Sequence, residues 1–236
     1  MNHHFATLEA KTDISDAIDY ACEVVSGQGA YRHSYHVTPV FEKPTSRATS
    51  IYARGFSAKW LELYDDYDFR RSDPIPIRVM QSGRLMTWAE AMEHGENSPE
   101  NEVYFAAMRE HDLIHGFGIP LFGLRGRDAY ASFDFGRPIA EVADQQLGIV
   151  RAVAQAMHQR VCVLIENIPK TYVLSERETE VLQWIVQGKS LPVIAEILQI
   201  APDTAKTYTK RIYAKLDASD RVSAVVKALK LGLVRI

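Results

Sequence analysis

The chemistry that this 236-residue sequence shows most directly lies near its carboxyl end. Residues 202–216 have helical spacing, and Lys206 and Lys210 are one turn apart on the same side of the predicted helix. Long cationic side chains in this arrangement reach base edges or phosphates when a helix lies in the major groove of DNA. A solvated charged face, which is common on surface helices, is the alternative explanation. The predicted DNA-binding residues are Thr204, Lys206, Thr207, Lys210 and Arg211.

Local signals place that helix inside a helix-turn-helix. Ser175 and Glu178 have the spacing of a capping box, which predicts a helix that begins after Ser175. Gly188 predicts the end of this helix, and Ser190 is a candidate cap for a second, short helix. Residues Gln199–Ala201 predict a tight turn before the third helix. A short helix, a turn and a longer helix are typical of this motif.

Two apolar stripes follow from the same pattern. The third helix is expected to face the core through Ala205, Thr209, Ile212 and Leu216, which are spaced 4, 3 and 4 residues apart. A fourth helix is predicted after Ser219 or Asp220, and its apolar stripe is Val222, Val225, Val226, Leu229 and Leu233. Because so small a domain covers this last stripe only in part, we expect it to pack against a second copy of the chain.

Charge is divided unevenly along the chain. Residues 170–236 carry 11 lysines and arginines against 7 aspartates and glutamates, whereas residues 1–169 carry 16 against 23. A basic module joined to an acidic one favours contact between the basic module and a polyanion. The apolar content of 47% and the charged content of 24% are ordinary for a globular protein and exclude wholesale disorder.

Several features that the sequence lacks indicate where in the cell the protein is expected. No stretch of about 18 uncharged apolar residues and no basic-then-apolar amino-terminal segment occurs, so we expect a cytoplasmic protein without a membrane span or signal peptide. Cys22 and Cys162 are far apart in sequence and are expected to be reduced and buried. The eight histidines lack metal-ligand spacing, and His33 and His36 are expected at the surface.

The region before the helix-turn-helix has mixed patterning. Helices are expected at residues 13–26, 57–67, 99–113 and 140–167, and strands at 31–40, 48–54, 116–122 and 129–135. Strands enclosed by helices predict an α+β fold class, with an amino-terminal α-β-α sandwich around an antiparallel sheet and a carboxy-terminal all-α domain of four helices. The predicted boundaries are residues 1–167 for the first domain, 168–173 for a linker and 174–236 for the second.

The carboxy-terminal motifs carry a family resemblance. Over about 60 residues the chain resembles the DNA-binding domain of the LuxR family. The family commonly has a serine in the turn where this chain has Ala201, a change that costs about 1 kcal/mol of helix capping. The matching segments are Leu174–Leu182, Gly188-Lys189-Ser190, Ile194-Ala195, Lys215-Leu216 and Gly232-Leu233.

The upstream region distinguishes between two kinds of regulator. Phosphoacceptor receiver domains, which also precede such DNA-binding domains, begin with a buried strand and a pair of acidic residues that this chain lacks. The region contains instead Trp60, Tyr64, Asp73-Pro74, Trp88, Gly116 and Pro120, in this order along the chain. Through these residues it resembles the autoinducer-binding domain of LuxR-type quorum-sensing receptors.

The resemblance implies a ligand-responsive transcriptional regulator rather than an enzyme, with no cofactor. Its implied partners are an acyl-homoserine lactone, a two-fold symmetric DNA site and a second copy of the chain, with RNA polymerase as a further candidate. A ligand-independent regulator and a sensor of a different small molecule are the alternatives.

Each polar group of a buried lactone that lacks a hydrogen-bond partner costs about 1–3 kcal/mol. The resemblance assigns the lactone carbonyl to Trp60, whose indole N–H only donates, and the amide N–H to Asp73, whose carboxylate only accepts. Tyr64 and Ser132 are expected to donate to the acyl carbonyl.

Two further residues complete the predicted ligand site. Trp88 is expected to form a flat apolar wall, and Phe56 stands where some family members have a pocket tyrosine. Without ligand, Asp73 is expected to be a carboxylate with no partner, which is costly. In an unrelated domain these aromatic residues would be ordinary core residues, and Asp73 before Pro74 would be a turn or cap residue.

Overall fold

The computed structural model describes residues 2–39, 42–66, 69–167 and 173–234. The chain divides into two compact units, and the boundary between them falls between residues 167 and 168. The predicted linker falls largely on residues 168–172, which lie outside the described residues. Across the described part of the chain, no helix combines the length and apolar character needed to span a membrane.

The first unit contains helices on both sides of one sheet. Its helices are α1 (Asn2–Ala10), α2 (Ile14–Gly27), α3 (Ala58–Asp66), α4 (Phe69–Ser72), α5 (Ile75–Ser82), α6 (Trp88–Glu93), α7 (Pro99–Glu110) and α8 (Asp144–Asn167). Its strands are β1 (Arg32–Val37), β2 (Ser50–Arg54), β3 (Met86–Thr87), β4 (Phe117–Leu121) and β5 (Ala129–Asp134). The sequence pattern predicted the elements at α2, α3, α7, α8 and four of the strands, and it missed α1, α4, α5, α6 and β3.

The sheet is antiparallel throughout, in the order β2-β1-β5-β4-β3. Strand β1 pairs with both β2 and β5, so that Ser34 lies opposite Ala53 on one side and Ser132 on the other. Since side chains alternate between the two faces of a strand, Ser34 and His36 point to one face and His33 and Tyr35 to the other. The two strands β1 and β2, which are consecutive in the chain, pair directly with each other.

Each face of the sheet has its own core. On one face α2 and α8 pack over Tyr35, Phe117 and Phe133. On the other face, the shorter helices α3 to α7 enclose a second cluster that includes Trp60, Trp88 and Tyr130. This arrangement confirms the predicted α-β-α sandwich.

The two covered faces explain why one expectation about histidines was wrong. His33 and His36 are only 6% and 5% exposed, although the sequence placed them at the surface. A strand in the interior of a sandwich has helices over both faces, so even its polar side chains are buried. Among the cysteines, Cys162 is buried as expected, whereas Cys22 is only partly buried, and both thiols are free.

The short helices are held together by polar contacts to the backbone. The buried Arg78 of α5 donates to the carbonyl oxygens of Ala91 and Glu96, at 2.5 and 3.0 Å, and so joins α5 to the α6 region. The amide of Asn101 in α7 donates to the carbonyl oxygen of Ser72, which ends α4, at 2.7 Å. These contacts fix the helices that enclose one face of the sheet.

The second unit consists of α9 (Glu176–Val186), α10 (Leu191–Ile197), α11 (Pro202–Leu216) and α12 (Arg221–Lys230). The predicted capping box is present, because Ser175 and Glu178 each bond the other's backbone N–H. Gln199 takes a left-handed conformation, with φ of 51°, in the turn before α11. Ser190 occupies the predicted cap position of α10, but its side chain makes no capping hydrogen bond.

The packed face of α12 differs from the predicted one. Its fully buried residues are Ala224 and Ala228, whereas Val222 and Val226 are 71% and 40% exposed. Alanine at these two positions allows α12 to approach α9 and α11 closely, and the larger valines are left outside this contact. By contrast, all four residues of the predicted α11 stripe are buried.

Candidate ligand pocket and nucleic-acid interface

One face of the sheet and the short helices enclose a pocket with about 480 Å³ of empty space, including the space at its opening. Strands β1, β2 and β5 form its floor, and α3, α5 and α7 contribute its walls. All six residues predicted to bind ligand line it: Phe56, Trp60, Tyr64, Asp73, Trp88 and Ser132.

Asp73 is buried in this pocket, but it has partners. Its Oδ1 accepts from the backbone N–H of Ile75 at 2.9 Å, and its Oδ2 accepts from the hydroxyl of Tyr64 at 3.0 Å. Burial raises the pKa of Asp73 to about 6, against the opposing effect of hydrogen bonds from Ile75, Tyr64 and Tyr104. The expectation of an unpartnered carboxylate was therefore wrong, because a neighbouring helix supplies a hydroxyl that sequence spacing does not reveal.

The same contact changes the role available to Tyr64. A tyrosine hydroxyl donates one hydrogen, and that hydrogen is used on Asp73. Burial, and next the negative charge of Asp73, raise the pKa of Tyr64, so the hydroxyl remains protonated and keeps donating. In this arrangement Tyr64 orients the carboxylate, and its hydrogen is not free for a ligand carbonyl.

Trp60 lies at the centre of an aromatic group. Its ring centroid is 5.9 Å from that of Tyr104, 6.2 Å from that of Phe69 and 5.5 Å from that of His111. The side chain of Trp60 is 5% exposed. Tilted ring pairs at these separations are favourable and hold the indole in one orientation toward the pocket.

Ser132 belongs to a row of hydrogen-bonded side chains on the pocket floor. Its hydroxyl is 2.7 Å from the hydroxyl of Ser34, which is 3.0 Å from Nε2 of His36. Nδ1 of His36 is buried without a partner among the described residues. Burial, with a smaller effect of Arg70, lowers the pKa of His36 to about 3, so this imidazole is neutral at physiological pH.

Two glycines of the β4 region make room for pocket rings. A Cβ on Gly116 would lie 2.4 Å from the indole of Trp88, and a Cβ on Gly118 would lie 2.4 Å from Cε2 of Tyr130. Both distances are below any tolerable contact, so these rings rest directly on backbone. The backbone N–H of Trp88 also donates to the carbonyl oxygen of Gly116 at 2.8 Å.

Sequence reasoning missed other residues of the same pocket. Ser34 and His36 lie two residues apart on β1, and Tyr130 lies two residues before Ser132 on β5. Since Ser132 was expected in the pocket, the two-residue period of a strand would have placed Tyr130 there as well. Tyr104 had no such signal, because its position depends on how α7 packs.

The predicted DNA-binding residues form one exposed surface of α11. Thr204, Lys206, Lys210 and Arg211 are exposed, and none of their side chains contributes to the buried core of the second unit. Thr207 is exposed as well, but its hydroxyl donates to the carbonyl oxygen of Asp203 at 2.8 Å. The surface is therefore cationic and accessible, as a helix that enters a DNA groove requires.

Contacts to neighbouring helices fix the position of α11. Nζ of Lys215 is 2.6 Å from Oε2 of the buried Glu178, which joins the last turn of α11 to the start of α9. Arg221 of α12 donates to the carbonyl oxygens of Ile185 and Lys189, at 2.7 and 2.8 Å, and caps the end of α9. Ala201 provides no side-chain cap for α11, as its sequence predicted.

Each of the two units of the chain matches a known protein family. Residues 13–161 match the autoinducer binding domain family, and residues 172–228 match the bacterial regulatory proteins of the luxR family. The chain therefore belongs to the LuxR-type regulators, which are quorum-sensing transcriptional regulators rather than enzymes. Its first unit is an autoinducer-binding domain and its second a DNA-binding helix-turn-helix domain.

Individual relatives and solved structures agree with this assignment. The HTH-type quorum sensing-dependent transcriptional regulator RpaR of Rhodopseudomonas palustris is 30% identical over 78% of this chain and 75% of its own length. The HTH-type quorum-sensing regulator RhlR of Pseudomonas aeruginosa is 25% identical over 86% and 83%. Crystalline Escherichia coli SdiA shares the fold, with a TM-score of 0.74 at 21% identity over 97% of this chain and 95% of SdiA. SdiA in complex with octanoyl-rac-glycerol gives 0.73 at 19% identity over 100% and 96%.

Proposed function

We propose that the chain is a ligand-responsive transcriptional regulator that binds an acyl-homoserine lactone in the pocket. The observation that carries this proposal is the match between the pocket lining and the polar groups of the ligand. An apolar cavity presents an indole donor at Trp60, a carboxylate acceptor at Asp73 and a hydroxyl at Ser132. These groups suit the lactone carbonyl, the amide N–H and the acyl carbonyl, in that order.

Asp73 can accept the amide N–H without losing its present partners. Each carboxylate oxygen has two acceptor positions, and the hydrogen bonds from Ile75, Tyr64 and Tyr104 use three of the four, which leaves one for the ligand. The ionised form makes the stronger hydrogen bond. Because Tyr64 already donates to Asp73, the acyl carbonyl is assigned to Ser132 alone.

The row His36, Ser34 and Ser132 can supply the hydrogen that this carbonyl needs. If Nε2 of His36 donates to Ser34, and Ser34 and the hydroxyl of Tyr130 both donate to Ser132, then the hydroxyl hydrogen of Ser132 is available to the ligand. In this arrangement the hydrogen of the neutral imidazole is on Nε2. Nδ1 of His36, which has no partner in the described part of the chain, then carries a lone pair instead of a buried N–H without an acceptor. The opposite direction would consume the hydrogen of Ser132 within the row.

The second unit is proposed to bind a two-fold symmetric DNA site as part of a homodimer, in the cytoplasm. Lys206 and Lys210 of each subunit would enter the major groove. Val222 and Val226 lie one turn apart on α12 and are exposed, and a second copy of α12 would cover them. RNA polymerase is a further candidate partner, which transcription with purified components would test.

The experiment is a thermal-shift panel on the purified full-length chain. Acyl-homoserine lactones are expected to raise the melting temperature, because a ligand that binds only the folded state adds about 2.7 kcal/mol at a hundredfold excess over Kd. Ring-opened acyl-homoserine and monooctanoylglycerol, which lacks the amide N–H, are the matched control ligands. Trp60→Phe keeps an aromatic side chain but loses the indole N–H donor. It should therefore lose more affinity for lactones than for the ring-opened form.

Three outcomes would contradict the proposal. A melting temperature that no lactone raises would remove the lactone as the ligand, and a larger response to monooctanoylglycerol would favour a different small molecule. Specific DNA binding with an unchanged affinity when lactone is added would support a ligand-independent regulator.

A further inference from the structure

The ligand pocket ends at Tyr130, and a second cavity begins on the other side of this residue. The second cavity has about 530 Å³ of empty space, part of it open to solvent, and is bordered by Met80 of α5 and by Thr38 and Asp128. Tyr130 is the only residue in the described part of the chain that borders both cavities. We infer that Tyr130 sets the length of the acyl chain that the pocket accepts, an inference that rests on the proposed function.

Strand geometry shows that the two cavities follow one line along the sheet. Residues two apart on a strand point to the same face and lie about 7 Å from each other. Ser132 lines the ligand pocket and Tyr130, two residues before it on β5, stands at the boundary, whereas Asp128, just before β5 begins, borders the second cavity. On the neighbouring strand His36 lies opposite Tyr130, and Thr38, two residues further on, again borders the second cavity. A chain that extends past Ser132 along this face therefore meets Tyr130 first.

The ring of Tyr130 is fixed in this position. Its side chain is 4% exposed, and it rests on the backbone of Gly118, where even a Cβ would collide with it. The imidazole of His36 packs against it at right angles, with ring centroids 5.0 Å apart. Its hydroxyl interacts with the side chains of Trp88 and Ser132. A ring held on these sides cannot rotate away without disturbing its neighbours.

The position of the acyl carbonyl determines what this barrier does. With the carbonyl at Ser132, the carbons beyond it lie against the ring of Tyr130. Short acyl groups fit the space before the ring, and long ones must displace it. Without the ring, the ligand pocket and the second cavity become one space, and the apolar side chain of Met80 lines the new part. Tyr130 is thus a specificity-determining residue for chain length.

The test measures dissociation constants of the full-length chain for butanoyl, hexanoyl, octanoyl, decanoyl and dodecanoyl homoserine lactone. The wild-type chain is expected to bind a short member most tightly and to reject the dodecanoyl form. Tyr130→Ala should move the optimum at least four carbons toward longer chains, with roughly a fourfold gain for each methylene that becomes buried. Tyr130→Leu opens the barrier with a smaller packing loss and should shift the optimum in the same direction, even if the alanine variant is unfolded.

Two control variants make the result specific. Tyr130→Phe keeps the ring and should keep the wild-type ranking of chain lengths, whatever its effect on overall affinity. Ile51→Ala enlarges the ligand pocket from β2 but does not border the second cavity, so it should not move the optimum to the longest chains.

The outcomes separate this inference from the proposed function. A wild-type chain that binds the dodecanoyl form best, or leucine and alanine variants with the wild-type ranking, would overturn the role of Tyr130 and leave lactone binding intact. Failure of every lactone to bind both the wild-type chain and the folded variants would overturn the proposed function, and the inference with it.

Discussion

Replacing Asp73 with asparagine should stabilise the ligand-free protein and weaken ligand binding at the same time. The carboxylate is 5% exposed, and burial raises its pKa from 3.8 to about 6 even though it accepts hydrogen bonds from Ile75 and Tyr64. Ionised Asp73 is therefore unfavourable in the folded state, and the proposed ligand uses this charge. Asparagine keeps the shape and one acceptor oxygen but removes the charge.

The sign and size of the stability effect follow from the two pKa values. Below about pH 4 the carboxyl is largely protonated in both the folded and the unfolded chain, and the contribution of Asp73 to stability is at its most favourable. As pH rises from 4 to 6 the unfolded chain ionises first, and the folded state loses stability until Asp73 has ionised as well. The difference of about two pKa units corresponds to about 3 kcal/mol. Asp73→Asn avoids this loss, so its advantage should grow from pH 4 to 6 and stay constant above, equivalent to several degrees in melting temperature.

Ligand affinity should depend on the charge of Asp73 in the opposite sense. The ionised form, which destabilises the empty fold, should bind the ligand more tightly. With a pKa of about 6, roughly ten elevenths of Asp73 is ionised at pH 7 and roughly one eleventh at pH 5. If only the ionised form binds well, the apparent Kd of the wild-type chain should be about tenfold weaker at pH 5. The asparagine variant should bind more weakly at pH 7 and show no such pH dependence.

Calorimetric titration at pH 5, 6 and 7, with melting curves in the same buffers, measures both effects. Asp73→Asn keeps every histidine of the wild-type chain, so acid effects on other groups are the same in both proteins. The difference between the two proteins therefore reports on Asp73. A wild-type affinity that is flat between pH 5 and 7, or a variant that is less stable than wild type at pH 7, would refute this account of Asp73.

Three further predictions concern DNA binding, assembly and acid stability. If Lys210 contacts a base, Lys210→Ala should weaken specific DNA binding by roughly 1–3 kcal/mol, and if it contacts a phosphate, the variant should show a flatter salt dependence. Lys59→Ala is the control and should change neither the affinity nor the salt dependence in an anisotropy titration. Val226→Glu should lower operator affinity and shift the chain toward monomer in sedimentation while its helical circular dichroism is retained; an unchanged dimer would contradict the proposed α12 contact. His33 and His36, whose pKa values burial lowers to about 4 and about 3, should each destabilise the fold by about 1.4 kcal/mol per pH unit as pH falls from 6.5 toward 4, because the unfolded chain takes up the protons first. Replacing both with glutamine should reduce that slope in denaturant unfolding.

The second unit was predictable because its signals are local. The capping box of Ser175 and Glu178, the left-handed Gly188 and the turn before α11 each depend on a few neighbouring residues. Where packing between helices decides, the pattern failed. The predicted stripe of α12 was expected to be covered only in part, and Val225, Leu229 and Leu233 do pack against the core of the second unit. The pattern did not show that the close approach of α12 to α9 and α11 would fully bury Ala224 and Ala228.

In the first unit, the identity of the pocket residues was predictable from the resemblance, but their partners were not. Asp73 and Tyr64 are nine residues apart, with Tyr64 in α3 and Asp73 between α4 and α5, and only the way the chain folds between them brings the hydroxyl to the carboxylate. His36 was expected at the surface because histidine is polar, although it occupies a strand with helices over both faces. Such contacts depend on which elements the fold brings together, and no local pattern records them.

The polar groups of the pocket give a physical reason for coupling folding to ligand binding. A buried carboxylate with a raised pKa and an imidazole nitrogen without a described partner both disfavour the empty folded state. Residues chosen for stability alone would be apolar at these positions. Since a ligand that donates to Asp73 favours its ionised form, the same group that weakens the empty domain strengthens the occupied one. Stability that depends on ligand in this way allows the amount of folded regulator to follow the concentration of its signal.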